Sequence, residues 1–576
     1  MELSSNALEV ASVRYLQPEE DWGKLSHRVG HFIGNSDNES TLFYDEIFNM
    51  NFIPGGRILR NAGVLNQGLL NCACLPVADN IESIGDLLRD SLVLWAYGAG
   101  IGVLYSTLRP AGAKIITRQG ESSGMLSFVE ILDHVSKVID TGGQRRSGLM
   151  PICRVDHPDI EEFIWAKDGS DSKLRYCNLS VAITDDFIRA VEDNAKWDLK
   201  FAGKVYDTVS AEDLWEQILS SQIKNGEPGL INYTNLLKNN SYYFQRIVGT
   251  NLCGELPLPN YGMCCLGSLV LPNFLHPSGT TNWVKLEKSV HSAVRFLDNV
   301  LDKNIYPIPQ TKQVTLDSRR IGLGVMGLHD YLLAKKIRYG VTALDEIERL
   351  YKFMRNVAYE ASIKLAEEKG AFPQYTQEYT RASFIRKLPA KLRLAIKEKG
   401  IRNCTLLSSQ PTGTTSLIPE VSSGIEPHFA LGYERRDRIS NRYYIHSALT
   451  EYIRKFPELA DLKSLMPDYL VDAQTLKPED HLEVQALIQK YTDNAVSKTI
   501  NFPSGVSHKE LSRTLLEYIK DLKGVAVYVD GSKGEQPVNT LSLDQVRTIL
   551  NTEWAMEPST INNPTQFDCH TGECEI

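Results

Sequence analysis

The 576-residue chain carries 62 Lys and Arg against 71 Asp and Glu, a formal net charge of −9, with 42% hydrophobic and 23% charged residues. This composition supports a large buried core rather than general disorder, and the acidic balance argues against nonspecific nucleic-acid binding, which needs a basic field to displace counterions from phosphates. The opening MELSSNALEVASVRY lacks the basic-then-apolar pattern of a secretory leader, and the longest apolar stretch, from Leu92 to Tyr105, is short and broken by Gly98, Gly100 and Gly102, so a cytoplasmic protein that avoids the membrane is expected.

Helical and strand-like stretches alternate with no internal repeat, as in an α/β body. In chain order, Asp79-x-x-Glu82 reads as a capping box opening a helix that runs to about Tyr97. Ile101 to Tyr105 reads as a buried strand. The glycines of Gly98-Ala-Gly-Ile-Gly102 have the wrong spacing for a dinucleotide fingerprint and fit tight strand packing better. A second helix is expected from about Ser127 to Asp140, with Phe128, Ile131, Leu132, Val135 and Val138 as its apolar stripe, ending at Gly142-Gly143. The stretch from Gly142 to Gly148 then reads as a mobile basic loop.

Asn251-Leu-Cys253-Gly-Glu255 sets an amide, a thiol and a carboxylate at every second position, on one face if the segment is extended. Pro411-Thr-Gly-Thr-Thr-Ser416 offers backbone and hydroxyl donors for phosphate, especially if a helix starts there, although such runs are most often plain loops. Val525 to Val529 reads as a strand closed by an Asp530-Gly531 turn. Beyond about Thr552 the chain is too poor in apolar residues to pack, which puts Cys569 and Cys574 on a flexible tether. Ten cysteines in such a chain point to reduced, catalytic or metal-binding thiols, and the absence of any C-x-x-C pair weakens a structural zinc reading. Cys153, Cys177, Cys265 and Cys404 read as core residues, and His157, before Pro158, as a turn residue; no metal site is assigned.

Taken together these residues resemble the catalytic chain of ribonucleotide reductases from about residue 50 to the end. The resemblance rests on Asn251, Cys253 and Glu255, on Cys264-Cys265-Leu-Gly-Ser268, on Pro411 to Ser416 followed by Ser423-Gly-Ile-Glu-Pro427, and on Cys72-Ala-Cys74-Leu-Pro-Val77. Gly142-Gly-Gln-Arg-Arg146, Arg154 to Ile160 and Arg320 to Gly327 also look like the family. It implies a ten-stranded α/β barrel of two five-stranded halves with a central finger loop carrying Cys253. The expected divisions are a helical segment over 1–60 without an ATP cone, the barrel over 61–550 and a redox-active tail over 551–576.

The resemblance also implies the chemistry. A Cys253 thiyl radical takes the ribose 3′-hydrogen, Glu255 accepts the 3′-hydroxyl proton and Asn251 holds the substrate hydroxyls. Cys72, or Cys74 as the competing choice, pairs with Cys264 to supply two electrons. Thr412, Gly413, Thr414, Thr415, Ser416 and Asn71 bind a ribonucleoside di- or triphosphate. Gly143, Gln144, Arg145 and Arg146 relay a dNTP or ATP specificity effector, and Cys569 with Cys574 passes electrons from a thioredoxin-like reductant. The Tyr528-x-Asp530-Gly-Ser532 segment, with one tyrosine, is similar to adenosylcobalamin-dependent members, which makes adenosylcobalamin the expected cofactor; a subunit borrowing its radical from a separate metal-containing partner is the alternative. Either a monomer or a homodimer is compatible. From other classes, a non-catalytic thiol-regulated nucleotide-binding protein would tolerate loss of Glu255, and a zinc protein would hold stoichiometric metal.

Overall fold

The computed structural model describes residues 2–115, 119–141, 145–169, 172–241, 243–436, 441–456, 465–530 and 538–551. Three helices open the chain, Ser5–Arg14, Trp22–Ile33 and Asp37–Phe48. Each starts where a short polar side chain takes up an otherwise orphaned backbone N–H: Ser4 accepts from Ala7, Asp21 from Lys24 and Ser36 from Glu39. Trp22, Leu25, Val29 and Ile33 recur on one side of the second helix and are buried. Phe43 of the third meets Phe296 of helix Trp283–Lys303 edge to face at 5.1 Å. Each such side chain contributes about 1.5–3 kcal/mol by leaving water, so these helices belong to the main core.

Among the described residues the strands form a seven-stranded sheet, a three-stranded sheet beside it, a second three-stranded sheet and two-stranded ribbons. In the larger sheet Cys72–Leu75, Gly100–Leu104, Leu149–Arg154, Ser180–Ile183 and Gly229–Asn232 run parallel in that order. The last then pairs antiparallel with Gly524–Val529, which is itself parallel to Thr499–Phe502. Cys72–Leu75 and Ser180–Ile183 are buried throughout, the pattern of parallel strands covered on both faces. In the smaller sheet Leu266–Val270 lies between Phe52–Pro54, antiparallel, and Gly322–Met326, parallel. Isolated bridges extend both: Leu323 to Leu407 and Ser409 to Val496, parallel, and Ala73 to Met263, antiparallel.

Several local expectations shift. The first expected helix is Ile81–Ala96, and Asn80 rather than Asp79 caps it, accepting from Ser83; Asp79 is drawn off into an ion pair with Arg109. The second is Met125–Val138, buried through Met125, Leu126, Val129 and Leu132. Of the expected stripe only Leu132 is buried, while Ile131 is 45% and Val138 80% exposed. The helix ends early because Asp140–Thr141 turns into a short ladder with Arg145–Arg146, so that part of the expected loop is paired backbone; residues 142–144, with Gly143 and Gln144, lie outside the described residues. The last expected strand is Gly524–Val529. Among the described residues no helix is long and apolar enough to cross a membrane.

Candidate functional site

Gly249–Thr250 and Pro257–Leu258 pair antiparallel, so Asn251 to Leu256 forms the tip of a hairpin. The expected extended segment with its shared face is not how the polar groups meet. Gly254 has φ +80°, a conformation L side chains rarely adopt, and its N–H donates to Asn251 O at 3.1 Å. That turn swings Glu255 back until Asn251 Nδ2 donates to Glu255 Oε1 at 2.8 Å, while Asn251 Oδ1 accepts from Leu256 N at 3.0 Å. The amide thus orients the carboxylate through one N–H and braces the turn through its oxygen.

Glu255 is 1% exposed. Burial pushes its carboxyl up to about 7, against the opposing effects of a backbone hydrogen bond and of the bond from Asn251. Its Oε2 is buried with no hydrogen-bond partner. A carboxyl poised near neutrality with one oxygen unspent is suited to exchange a proton with a bound group.

The hairpin lies against the larger sheet because that sheet offers backbone where side chains would stand. A Cβ on Gly102 would fall 2.0 Å from Thr250 O, and one on Gly148 2.5 Å from Leu252 Cδ2. The reading of the glycine run as tight packing holds at Gly102. On the other side Ala495 N donates to Glu255 O at 2.8 Å.

Cys72 and Cys264 are brought together across the junction of the two sheets. Cys72 N donates to Cys264 Sγ at 2.9 Å and Cys264 N to Cys72 O at 3.0 Å. Both are free and buried. Burial, and next the adjoining Cys72, raise the Cys264 thiol well above its ordinary range, so it carries its proton at neutral pH. Cys74, two residues along the same strand, lies in the same buried cluster as Cys72 and Cys264, with its N donating to Gly262 O and its sulfur beside Gly249. Burial pushes that thiol up to about 12. Asn71 is half-buried next to Cys72, and its carbonyl accepts from Gly100 N at 2.8 Å.

Cys253 is only half-buried. It opens on a cavity walled by Leu230, Ile231, Leu252, Val525 and Val527, with Ser180, Lys498 and Tyr528 as polar groups and Pro411 at one side. Pro411 leads into the segment from Thr412 to Ser416, which is a series of turns in which no regular helix begins. Thr412 closes this loop, accepting from Gly424 N at 2.8 Å, and Ser423 Oγ accepts from Thr412 N at 3.2 Å. Thr415 Oγ1 donates to Thr412 O, and Ser416 Oγ is buried with no partner. Gly413 and Thr414 are half-buried on the same turn.

Two features behind this loop were given no role in the sequence reading, although Glu426 falls in the Ser423 to Pro427 stretch quoted there. Lys498, fully buried on the cavity wall, forms an ion pair with Glu426. Asp330 receives His428 Nε2 at 3.0 Å and His446 Nε2 at 3.3 Å on one oxygen and Ser422 N at 2.8 Å on the other. Three such groups within 4.8 Å resemble a metal site. However, His446 Nδ1 accepts from Ala448 N at 3.1 Å, so the neutral ring keeps its proton on Nε2, aimed at Asp330, and the cluster works as a hydrogen-bonded brace. The only hint in the sequence was the position of His428 immediately after Pro427. Cys569 and Cys574 lie outside the described residues.

A family profile described as the ribonucleotide reductase barrel domain matches residues 70–528. The vitamin B12-dependent ribonucleoside-diphosphate reductase of Mycobacterium tuberculosis is 33% identical over 596 aligned positions, covering 96% of this chain and 83% of that protein. Its namesake from Thermoplasma acidophilum is 33% identical, covering 95% of this chain and 72% of that protein. The ribonucleoside-diphosphate reductase subunit alpha of Chlamydia muridarum is 26% identical over 84% of this chain and 53% of its own length.

Proposed function

Since the chain belongs to the ribonucleotide reductase family, we propose that it reduces ribonucleoside diphosphates to 2′-deoxyribonucleotides with adenosylcobalamin as its radical source. The observation that carries this reading is the convergence of Cys253, Glu255, Asn251 and Cys264 with Cys72, which comes from a distant stretch of the chain, around one hairpin tip. The relatives named as B12-dependent support the cofactor and the diphosphate substrate. On the same reading we infer a ten-stranded barrel of two five-stranded halves around that tip, for which the isolated bridges at Leu407, Ser409 and Met263 are the support.

The cavity at Cys253 suits a nucleoside, with largely apolar walls and polar groups on Asn178, Ser180, Glu227, Lys498 and Thr499. Leu230, Ile231, Val525, Val527 and Tyr528 would hold it. When bound, the cofactor supplies the oxidising equivalent that leaves Cys253 as a thiyl radical. Cys253 then takes the hydrogen atom from C3′, and Glu255, ionised, takes the 3′-hydroxyl proton. The 2′-hydroxyl departs as water with a proton from the Cys72 and Cys264 pair. In forming a disulfide these two thiols give up two electrons and their second hydrogen, which ends on C2′; Glu255 returns its proton to the 3′-oxygen, and Cys253 returns its hydrogen to C3′. The balance is one ribonucleotide and two thiols to one deoxyribonucleotide, one disulfide and one water. Thr412 to Ser416 and Asn71 hold the substrate, and Cys569 with Cys574 reduces the buried disulfide by exchange.

Anaerobic turnover of cytidine diphosphate, with and without adenosylcobalamin, tests the reading. Deoxycytidine diphosphate should form with dithiothreitol only when the cofactor is added; none in any mixture would overturn the cofactor reading and shift the search to a separate metal-bearing radical subunit. With thioredoxin as reductant, the Cys569→Ser, Cys574→Ser double variant should complete one turnover and stop. Sustained thioredoxin-driven turnover in that variant would exclude the tail from the electron route.

A further inference from the structure

Among the described residues the wall of the cavity at Cys253 includes Leu252, Cys253 and Gly254 of the hairpin tip, but neither Asn251 nor Glu255, and neither Cys72 nor Cys264. The cavity therefore opens on another side of the tip from the groups assigned to the substrate. Gly254 leaves room there, since a Cβ on it would meet nothing within 4 Å. Several polar groups on this wall are already engaged. Glu227 accepts from Lys167 Nζ and from Leu179 N, each at 2.9 Å, Lys498 pairs with Glu426, and Ser180 Oγ donates to Met150 Sδ at 3.4 Å. Thr499 differs: the residue is 5% exposed, and its Oγ1 is buried with no hydrogen-bond partner.

The register gives the direction of that side chain. Thr499 pairs with Ala526 and Asn501 with Tyr528 across the parallel strands Thr499–Phe502 and Gly524–Val529. Paired residues share a face of the sheet, and Ala526 and Tyr528 are half-buried positions that both line the cavity. The backbone of Thr499 is held on both sides by the buried ion pair behind it: its N–H donates to Glu426 Oε1 at 2.7 Å, and its carbonyl accepts from Lys498 Nζ at 3.3 Å. A β-branched side chain on a pinned backbone is stiff at χ1, so the hydroxyl keeps its aim. A buried hydroxyl without a partner is costly, and a ligand that supplies one recovers that cost. The sugar hydroxyls and ring nitrogens of a nucleoside can do so, because a threonine hydroxyl both donates and accepts. We propose that Thr499 is the residue that hydrogen-bonds the nucleoside group of the radical-generating cofactor. This rests on the reading of the cavity as the place of that group.

The test is equilibrium dialysis of the full chain, in the dark, against adenosylcobalamin, against hydroxocobalamin, which lacks the adenosyl group, and against cytidine diphosphate. The parent is compared with Thr499→Val, which replaces the hydroxyl by a methyl, and with Thr499→Ser, which keeps a hydroxyl. Thr499→Val should raise Kd for adenosylcobalamin about fivefold, which at 1.4 kcal/mol per tenfold is about 1 kcal/mol, the contribution of one hydrogen bond. Its Kd for hydroxocobalamin and for cytidine diphosphate should stay within about twofold of the parent, and Thr499→Ser should hold adenosylcobalamin within about twofold. An unchanged Kd for adenosylcobalamin in Thr499→Val would overturn the inference and leave the cofactor reading standing. So would Thr499→Ser as weak as Thr499→Val, or a loss confined to cytidine diphosphate, which would give Thr499 to the substrate. Equal losses for all three ligands would mean a general packing role and would also overturn it. If the parent binds neither cobalamin, the cofactor reading falls, and the inference with it.

Discussion

At the scale of single residues, the site turns on a carboxyl that burial makes reluctant to ionise. Glu255 ordinarily titrates near 4.5 and here is pushed up to about 7, yet it must be ionised to accept the 3′-hydroxyl proton. Activity should therefore rise with pH, with the midpoint of the rising limb near 7 when single-turnover rates are followed. Glu255→Gln should remove that limb and cost about 10²- to 10⁴-fold in rate; a limb that persists in the variant would assign it to another group. The stability sign runs the other way. A carboxyl whose folded value is raised contributes stability that is full below about 4.5 and is lost as pH rises through about 7. Denaturant midpoints of Glu255→Gln should thus vary less over that window than those of the parent. Asn251, Cys253 and Glu255 were legible in the sequence because they fall within five positions. The turn that joins them was not, since the i, i+2 pattern alone suggested an extended strand. Asp330, His428 and His446 were illegible because they span 116 residues and meet only after folding.

Secondary-structure elements show a similar division between what spacing records and what packing decides. The helical period placed Ile81–Ala96 and Met125–Val138 within a few residues. In the second, apolar residues occur on more than one side, and period alone does not choose the side that is buried. The core took Met125, Leu126, Val129 and Leu132, leaving Ile131 and Val138 turned outward. Gly98, Gly100 and Gly102 were legible as close packing, but their partners were not: Arg57 for Gly98, and for the other two a hairpin about 150 residues downstream. Gly102→Ala puts a methyl 2.0 Å from Thr250 O, backbone that must move. Turnover should fall at least about hundredfold, the order expected for a displacement of reacting groups by about 1 Å. The far-UV circular dichroism should stay near that of the parent. Full activity in this variant would show that the hairpin does not depend on the contact.

At the scale of the whole molecule, alternation of elements disclosed an α/β body, while the way the sheets meet depended on pairings hundreds of residues apart. Of the five parallel strands only the one at Gly100–Leu104 was read from the sequence as a buried run; the bridges at Leu407, Ser409 and Val496 are single contacts that leave no periodic trace. Cys72 and Cys264 sit where the larger sheet and the smaller one touch, 192 residues apart in sequence. Joining them closes a loop of that length, which in the chain-entropy account is worth about 5 kcal/mol against unfolding. The oxidised protein should accordingly melt several degrees above the reduced one, with the difference absent in Cys264→Ser; equal melting of the two forms would show that the bond adds no restraint. The electron store of the reaction is then also a clasp on the architecture: each turnover fastens the two sheets to one another, and each reduction unfastens them before the next substrate is processed.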